Sequence, residues 1–297
     1  MNNSPEKHRS GFVNILGSPN VGKSTLMNAL SGSRLSIITS RAQTTRHRIH
    51  GIVNGDNFQI VYSDTPGILS PKYKLQETML KAATSALTDA DVILYVTEVN
   101  ETPDSSLPFV KKIRKMNVPL ILVMNKIDLC NQEKLDILHD QWQNILPGST
   151  FFPVSALLNF NLDNLFQNIL DKLPEGPPFY PKDQITDKSE RFFAGEIVRE
   201  KIMLNYQQEI PYSVEIEVDE FKEEETIIRI NCIIFVEKES QKGILIGKSG
   251  SALKKTGTDA RKSMEDFFGK KVFLSLFVKV KKDWRNNERT LRSFGYR

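Results

Sequence analysis

A run of eight residues, Gly17-Ser18-Pro19-Asn20-Val21-Gly22-Lys23-Ser24, carries the clearest chemistry in this sequence. Gly, four residues, then Gly-Lys-Ser is the pattern of a loop that wraps phosphate. The glycines let the backbone curl so that its N–H groups face inward. The helix that follows presents its positive end to a β-phosphate. Lys23 is placed to bridge β- and γ-phosphates, and the Ser24 hydroxyl to bind Mg²⁺, with Thr25 beside it. A glycine-rich turn can match the pattern by accident, so the flanks matter. Residues 12–16 read as a buried strand and residues 24–30 as the start of a helix, which is the required setting.

Three further groups suit the same chemistry. Asp64-Thr65-Pro66-Gly67 follows an apolar run at 58–63. An Asp at the end of such a strand can hold Mg²⁺ through water, and the Gly67 N–H can sense a γ-phosphate. Between these motifs lies a polar stretch, 33–48, without helical or strand period. It contains Thr44 and Thr45, either of which could complete the Mg²⁺ shell; Thr45 is preferred because Thr-Arg resembles the pattern of related GTPases. Asn125-Lys126-Ile127-Asp128 closes the apolar run 118–124. The Asp128 carboxylate can accept two hydrogen bonds from guanine N1–H and N2–H₂, a pair adenine lacks, so GTP is favoured over ATP. Asn125 is expected at guanine N7 and against the phosphate loop, with the Lys126 stem over the base. Ser155-Ala156-Leu157 ends a further strand, and the Ala156 N–H is expected to meet guanine O6. Residue 68 is Ile, where GTPases of the Ras type carry the Gln that orients water, so intrinsic hydrolysis is expected to be slow.

The elements that must position these residues alternate. A helix at 73–88 leads to a strand at 91–97 and a helix at 105–116 to a strand at 118–124, with more helices at 132–146 and 162–173. That rhythm means a mostly parallel sheet covered on both faces, with ligand at the strand ends. A proline-dense run, 174–181, cannot continue a helix and opens a linker, expected to limit domain orientation through its stiffness. The organisation read is residues 1–175, a linker at 176–189, and a second domain at 190–297.

The second domain reads as helix, strand, strand, short helix, glycine turn, helix, strand and a basic tail. Its turn is Gly247-Lys248-Ser249-Gly250, preceded by Ile246. Between two helices a Gly-x-x-Gly turn lets a nucleic-acid backbone approach, while an apolar groove holds unstacked bases. The expected groove walls are Ile244, Leu245 and Ile246 on one side and the strand at 226–236 on the other. Lys248, Lys254 and Lys255 are expected at phosphates, and Arg261 and Lys262 extend the basic face. A bare Gly-x-x-Gly is a weak signal. Net charge strengthens it: the chain carries +4 overall, whereas residues 176–240 carry −7 and residues 241–297 carry +10.

Composition sets outer limits. With 297 residues, 39% hydrophobic and 26% charged, the chain can build two globular cores. Cys130 and Cys232 are too few and too far apart for a disulfide framework or metal-ligand spacing. No apolar run reaches membrane-spanning length, and residues 1–10 have no signal-peptide core.

Taken together the motifs resemble the Era family over nearly the whole chain: GSPNVGKST at 17–25, QTTRH at 43–47, DTPG at 64–67, NKID at 125–128, SAL at 155–157, and the run from 246 to 261. Thr256 departs from the family by placing a hydroxyl where an apolar side chain is expected. The resemblance implies an α/β fold, a P-loop GTPase three-layer sandwich of the TrmE-Era-EngA kind plus a C-terminal α+β KH type 2 domain. It implies GTP hydrolysis, Mg²⁺, and binding to the 3′ end of 16S rRNA in assembly of the 30S subunit. It also implies a cytoplasmic monomer with a peripheral inner-membrane fraction. Asn20 matches the phosphate-loop Asn of GTPases that use K⁺. Two readings from other classes stand beside this one: an RNA-binding scaffold with a vestigial nucleotide site, and a membrane or cell-cycle GTPase whose KH-like domain binds protein.

Overall fold

The computed structural model describes residues 7–104 and 107–296. The chain divides into two compact units. Unit 1 comprises Met1–Ser36, Thr45–Ser70 and Met79–Asp187, and unit 2 comprises Ile37–Thr44, Pro71–Thr78 and Lys188–Arg297.

Unit 1 is built on a six-stranded sheet. The elements in order are β1 (Arg9–Leu16), α1 (Lys23–Ser31), β2 (Ile49–Gly55), β3 (Phe58–Asp64), α2 (Lys74–Ser85, of which only the part from Met79 on belongs to this unit), β4 (Val92–Glu98), α3 (Pro108–Ile113), β5 (Leu120–Asn125), α4 (Gln132–Ile145), β6 (Thr150–Pro153) and α5 (Leu162–Lys172). The strand order is β2-β3-β1-β4-β5-β6. Only β2 runs antiparallel, joined to β3 by a hairpin. The other neighbours are parallel. Strands buried on both faces read as unbroken apolar runs, as β4 (VILYVTE) does. On one face Tyr95 and Leu122 meet Val110 of α3 and Trp142 of α4. Trp142 is fully buried, and its ring stands edge-on to Tyr95 at 5.5 Å between centroids. The register places Ile15 beside Asp64 and Glu98 beside Asn125. The motif residues therefore gather at the carboxyl ends of β1, β3 and β5, where an open parallel sheet receives ligands.

The third helix was expected from Ser105, which lies outside the described residues; the helix itself is short, Pro108–Ile113. The proline-dense run is held by more than its own stiffness. Ser10 N–H donates to Pro174 O at 3.1 Å, and the Gln59 side chain accepts from Phe179 N–H and Tyr180 N–H at 2.6 and 2.9 Å. Ile52 N–H donates to Ile185 O at 2.9 Å. Residues 174–187 thus lie along unit 1 and satisfy its edge groups.

Unit 2 contains α6 (Glu190–Asn205), α7 (Ile210–Ser213), β7 (Glu215–Glu223), β8 (Ile227–Val236), α8 (Glu239–Ile246), α9 (Ser251–Phe268), β9 (Lys271–Val280) and α10 (Glu288–Ser293). Its sheet has the order β7-β8-β9, with β8 and β9 parallel. Alternate residues of β8 (Ile228, Ile230, Cys232, Ile234 and Val236) are buried against α6, α8 and α9. Thr256 is fully buried, yet its hydroxyl is satisfied: it donates to Tyr206 Oη at 3.2 Å, and Tyr206 in turn donates to Leu245 O at 2.8 Å. Ser189 caps α6 by accepting from Phe192 N–H at 3.4 Å.

Two expectations change here. The C-terminal stretch is not a loose tail, because Trp284, Leu291 and Tyr296 are buried, and Trp284 Nε1–H donates to Ser213 O at 3.1 Å. The segment Ile37–Thr44 belongs to unit 2. Arg199 of α6, paired to Glu196, donates to the carbonyls of Gln43 and Thr44.

Candidate nucleotide site and RNA groove

The phosphate loop connects β1 to α1. Gly22 has φ +95° and precedes the helix, and a Cβ there would lie 2.2 Å from Asn125 Nδ2. Only glycine fits such a close approach in that conformation. Asn20 also has positive φ, 66°, and its carbonyl accepts from Lys126 Nζ at 2.7 Å. Lys23 is buried and donates to the carbonyls of Gly17 (3.1 Å) and Ser18 (2.7 Å). Burial lowers its pKa to about 8, against the pull of Asp64 and Glu101.

Three oxygens converge beside it. Ser24 Oγ and Thr45 Oγ1 are 2.9 Å apart, and both donate to Asp64 Oδ2, at 2.7 and 3.1 Å. The other carboxylate oxygen, Asp64 Oδ1, is buried with no hydrogen-bond partner among the described residues. Burial pushes the Asp64 pKa up, opposed by the Ser24 hydrogen bond and the Lys23 charge. A buried carboxylate with an unfilled oxygen and two hydroxyls turned toward it fits a small hard cation, and Mg²⁺ prefers such oxygens. Thr44 lies elsewhere: its hydroxyl is 2.7 Å from Thr39 Oγ1 and donates to Arg41 O at 2.7 Å.

The neighbouring motif residues hold the backbone. Thr65 Oγ1 donates to Ile15 O at 2.8 Å. Pro66 is buried, and a Cβ at Gly67 would meet Pro19 Cα at 2.8 Å. Ile68 N–H donates to Gly17 O at 3.2 Å, and its side chain joins the cluster around Leu16. Residue 68 therefore offers the site no polar side chain.

Asn125 ties three segments together. Its Nδ2 donates to Val21 O at 2.9 Å, and its Oδ1 accepts from Ala156 N–H at 3.0 Å. The Ala156 N–H, expected at guanine O6, thus donates to the Asn125 side chain in this structure. Ser155 Oγ accepts from Leu158 N–H at 3.3 Å, and Leu157 is 76% exposed. Asp128 is exposed, in the short helical turn Ile127–Leu129 that follows β5. Sequence reasoning missed Glu101. Its carboxylate accepts from Thr97 Oγ1 at 2.7 Å and from Ser18 Oγ, placing a negative charge beside the phosphate loop. No local pattern could signal it, because Ser18 is 83 residues away.

In unit 2 the turn at 247–250 has Gly247 at φ +71°, where a Cβ would lie 2.6 Å from Ala252 Cβ. Lys248 and Ser249 are exposed. Beside the turn is a groove of about 370 Å³, lined by Gly250, Leu253, Lys254 and Arg261 of the turn and α9, and by Leu274 and Leu276 of β9. This corrects the expected walls. Leu245 is fully buried in the core, and the strand residues that line this groove come from β9, the edge strand beside β8. Of the lysines expected there, Lys254 lines the groove, whereas Lys255 is one residue on, about 100° around the helix.

A phosphate loop, a three-oxygen cluster and an Asn-Lys-x-Asp corner on a parallel sheet define a GTPase site, here joined to a KH domain. Residues 12–126 match the family described as 50S ribosome-binding GTPase, and residues 209–285 match the KH domain family. The chain is 48% identical over 291 residues to GTPase Era of Syntrophus aciditrophicus (strain SB), covering 97% of this chain and 95% of that protein. It is 40% identical over 292 residues to GTPase Era of Ruminiclostridium cellulolyticum, covering 98% of each. A solved structure of Era in complex with MgGDPNP and nucleotides 1506–1542 of 16S ribosomal RNA has a TM-score of 0.93 and 41% identity, over 97% of this chain and 99% of that one. An Aquifex aeolicus Era variant bound to GDP·AlF4⁻ has a TM-score of 0.91 and 40% identity, over the same shares. The chain belongs to the Era family of GTPases.

Proposed function

We propose that this chain is a GTP-hydrolysing switch that binds the 3′ end of 16S rRNA and assists assembly of the 30S subunit. The observation that carries the reading is the pairing, in one chain, of the Ser24–Thr45–Asp64 oxygen cluster with a basic KH groove. The full-length likeness to an Era structure holding MgGDPNP and a 16S rRNA fragment supports it.

The residues divide the work. The backbone of 17–24 cradles phosphates, Lys23 neutralises the β- and γ-oxygens, and Asp128 selects guanine while Asn125 holds the phosphate loop against the 155–157 segment. Ser24, Thr45 and, through water, Asp64 would hold Mg²⁺, which would supply charge stabilisation at the phosphates. Water attacks the γ-phosphate without help from residue 68. Asn20, at the exposed lip of the loop, is the candidate ligand for a K⁺ ion in place of an arginine finger. In the KH groove, Lys254 and the turn at 247–250 contact the RNA backbone. The family resemblance extends the reading to a cytoplasmic monomer with a peripheral inner-membrane fraction. Among the described residues no helix is long and apolar enough to cross a membrane.

Crosslinking the GTP-loaded protein in cell extract and sequencing the bound RNA tests the proposal. Reads should concentrate at the 3′ end of 16S rRNA, and on sucrose gradients the protein should travel with 30S particles. Enrichment of 23S reads and 50S particles would overturn it.

A further inference from the structure

The edge strand β9 has two faces. Leu274 and Leu276 form the floor of the groove. On the other face stand Lys271, Phe273, Ser275, Phe277 and Lys279, alternating with the buried set. Phe273 is 51% exposed and Phe277 55% exposed, unusual for phenylalanine in a sheet. The register places Arg229 of β8 beside Phe273 and Ile233 beside Phe277. The Arg229 guanidinium lies 5.5 Å from the centre of the Phe273 ring. Further along, Phe235 is covered by Phe294, with Lys281 over both rings, so the C-terminal segment covers that end of the face and leaves Phe273 and Phe277 open.

On this face the acidic side chains Glu217 and Glu220 lie on β7, the far edge, beside Ile233 and Asn231, and Lys222 of β7 lies beside Arg229. Lys271 and Lys279 bracket the two rings on β9, and Arg229, though 3.3 Å from Glu224, sits over one of them. Open aromatic rings flanked by cations suit the bases and phosphates of a single strand, since every base has a face to stack and the stacking tolerates sequence. The rings are about 13 Å apart along the strand, too far for one base to span. Because β9 is the edge of the sheet, a strand leaving the groove reaches these rings by passing over one strand's width.

We propose that the outer face of β9 is a second contact for single-stranded RNA, continuing the groove around the sheet edge, with Phe273 and Phe277 as stacking platforms and Lys271 and Lys279 at phosphates. The inference rests on the reading of the groove as an RNA site.

The test uses the full chain with two RNAs: a tetranucleotide, the length a KH turn clamps, and a single strand of about twelve nucleotides that can reach further. The wild type should bind the longer RNA more tightly. Phe273→Ala and Phe277→Ala should each weaken the longer RNA about tenfold and leave the tetranucleotide unchanged. Phe277→Trp keeps an aromatic ring and reports stacking directly, because Trp142 and Trp284 are both buried. Its fluorescence should be quenched by the longer RNA and not by the tetranucleotide. Unchanged affinity in both alanine variants, or no quenching, overturns the second contact, as does a protein or membrane that needs these rings while RNA does not. Failure of the wild type to bind either RNA overturns the groove reading instead.

Discussion

Lys23 and Asp64 are each buried with a charge the fold alone does not fully satisfy. The Lys23 pKa of about 8 lies below its ordinary value of 10.5. Between those values the unfolded chain holds the proton and the folded chain does not. The stability of the ligand-free protein therefore rises as pH climbs from about 8 toward 10.5, and the penalty is fully present below 8. A phosphate beside the ammonium restores its charge. Binding of Mg²⁺-free GDP should then take up protons near pH 9 and few near pH 7, measured calorimetrically in buffers of different ionisation heat. Thr45 gives a second expectation at this scale. Thr45→Ala should weaken Mg²⁺-dependent binding of a non-hydrolysable GTP analogue by about tenfold or more, whereas Thr44→Ala should change little, because its hydroxyl faces Thr39 and Arg41.

Among the elements, the phosphate loop and α1 depend on one tight junction. Gly22→Ala must fit a methyl group 2.2 Å from Asn125 Nδ2 at φ +95°. A cost of about 1–3 kcal/mol is expected, read as a lowered denaturation midpoint, with nucleotide affinity lost in parallel. This is also the scale at which the sequence was most and least readable. The apolar runs of β3, β4 and β5 and the residues just after them could be read locally, because each motif closes its own strand. The partner of Ala156 could not, since Asn125 is 31 residues away and the contact exists only once β5 and β6 are paired. The groove wall was misassigned for the same reason. Two apolar strands, β8 and β9, compete for the place beside α9, and only sheet order decides between them. Thr256 looked wrong locally because its partner, Tyr206, is 50 residues upstream.

At the scale of the molecule, each unit has core packing of its own among the described residues, around Tyr95 and Trp142 in unit 1 and around β8 in unit 2. A chain with two cores need not unfold in one step. GTP with Mg²⁺ at about one hundred times its dissociation constant stabilises its own unit by about 2.7 kcal/mol. Calorimetry should show one transition moving up by several degrees with nucleotide while the other moves less. A single transition shifting as a whole would mean that the cores melt together. The C-terminal stretch was hard to read at this scale. In the sequence it reads as a basic tail, and its buried residues Trp284, Leu291 and Tyr296 are spaced without period.

Cys232 lies fully buried in the middle of β8, and burial raises its thiol pKa to about 12. Cys130, half-buried in unit 1, is the other free thiol. Only a thiolate alkylates, and a thiol so shielded is inert until the strand opens. Each unit thus carries its own chemical clock. Iodoacetamide labelling followed by mass spectrometry should modify Cys130 first. Cys232 should follow at the rate at which the RNA-binding unit opens, giving that unit's kinetic stability without any introduced probe.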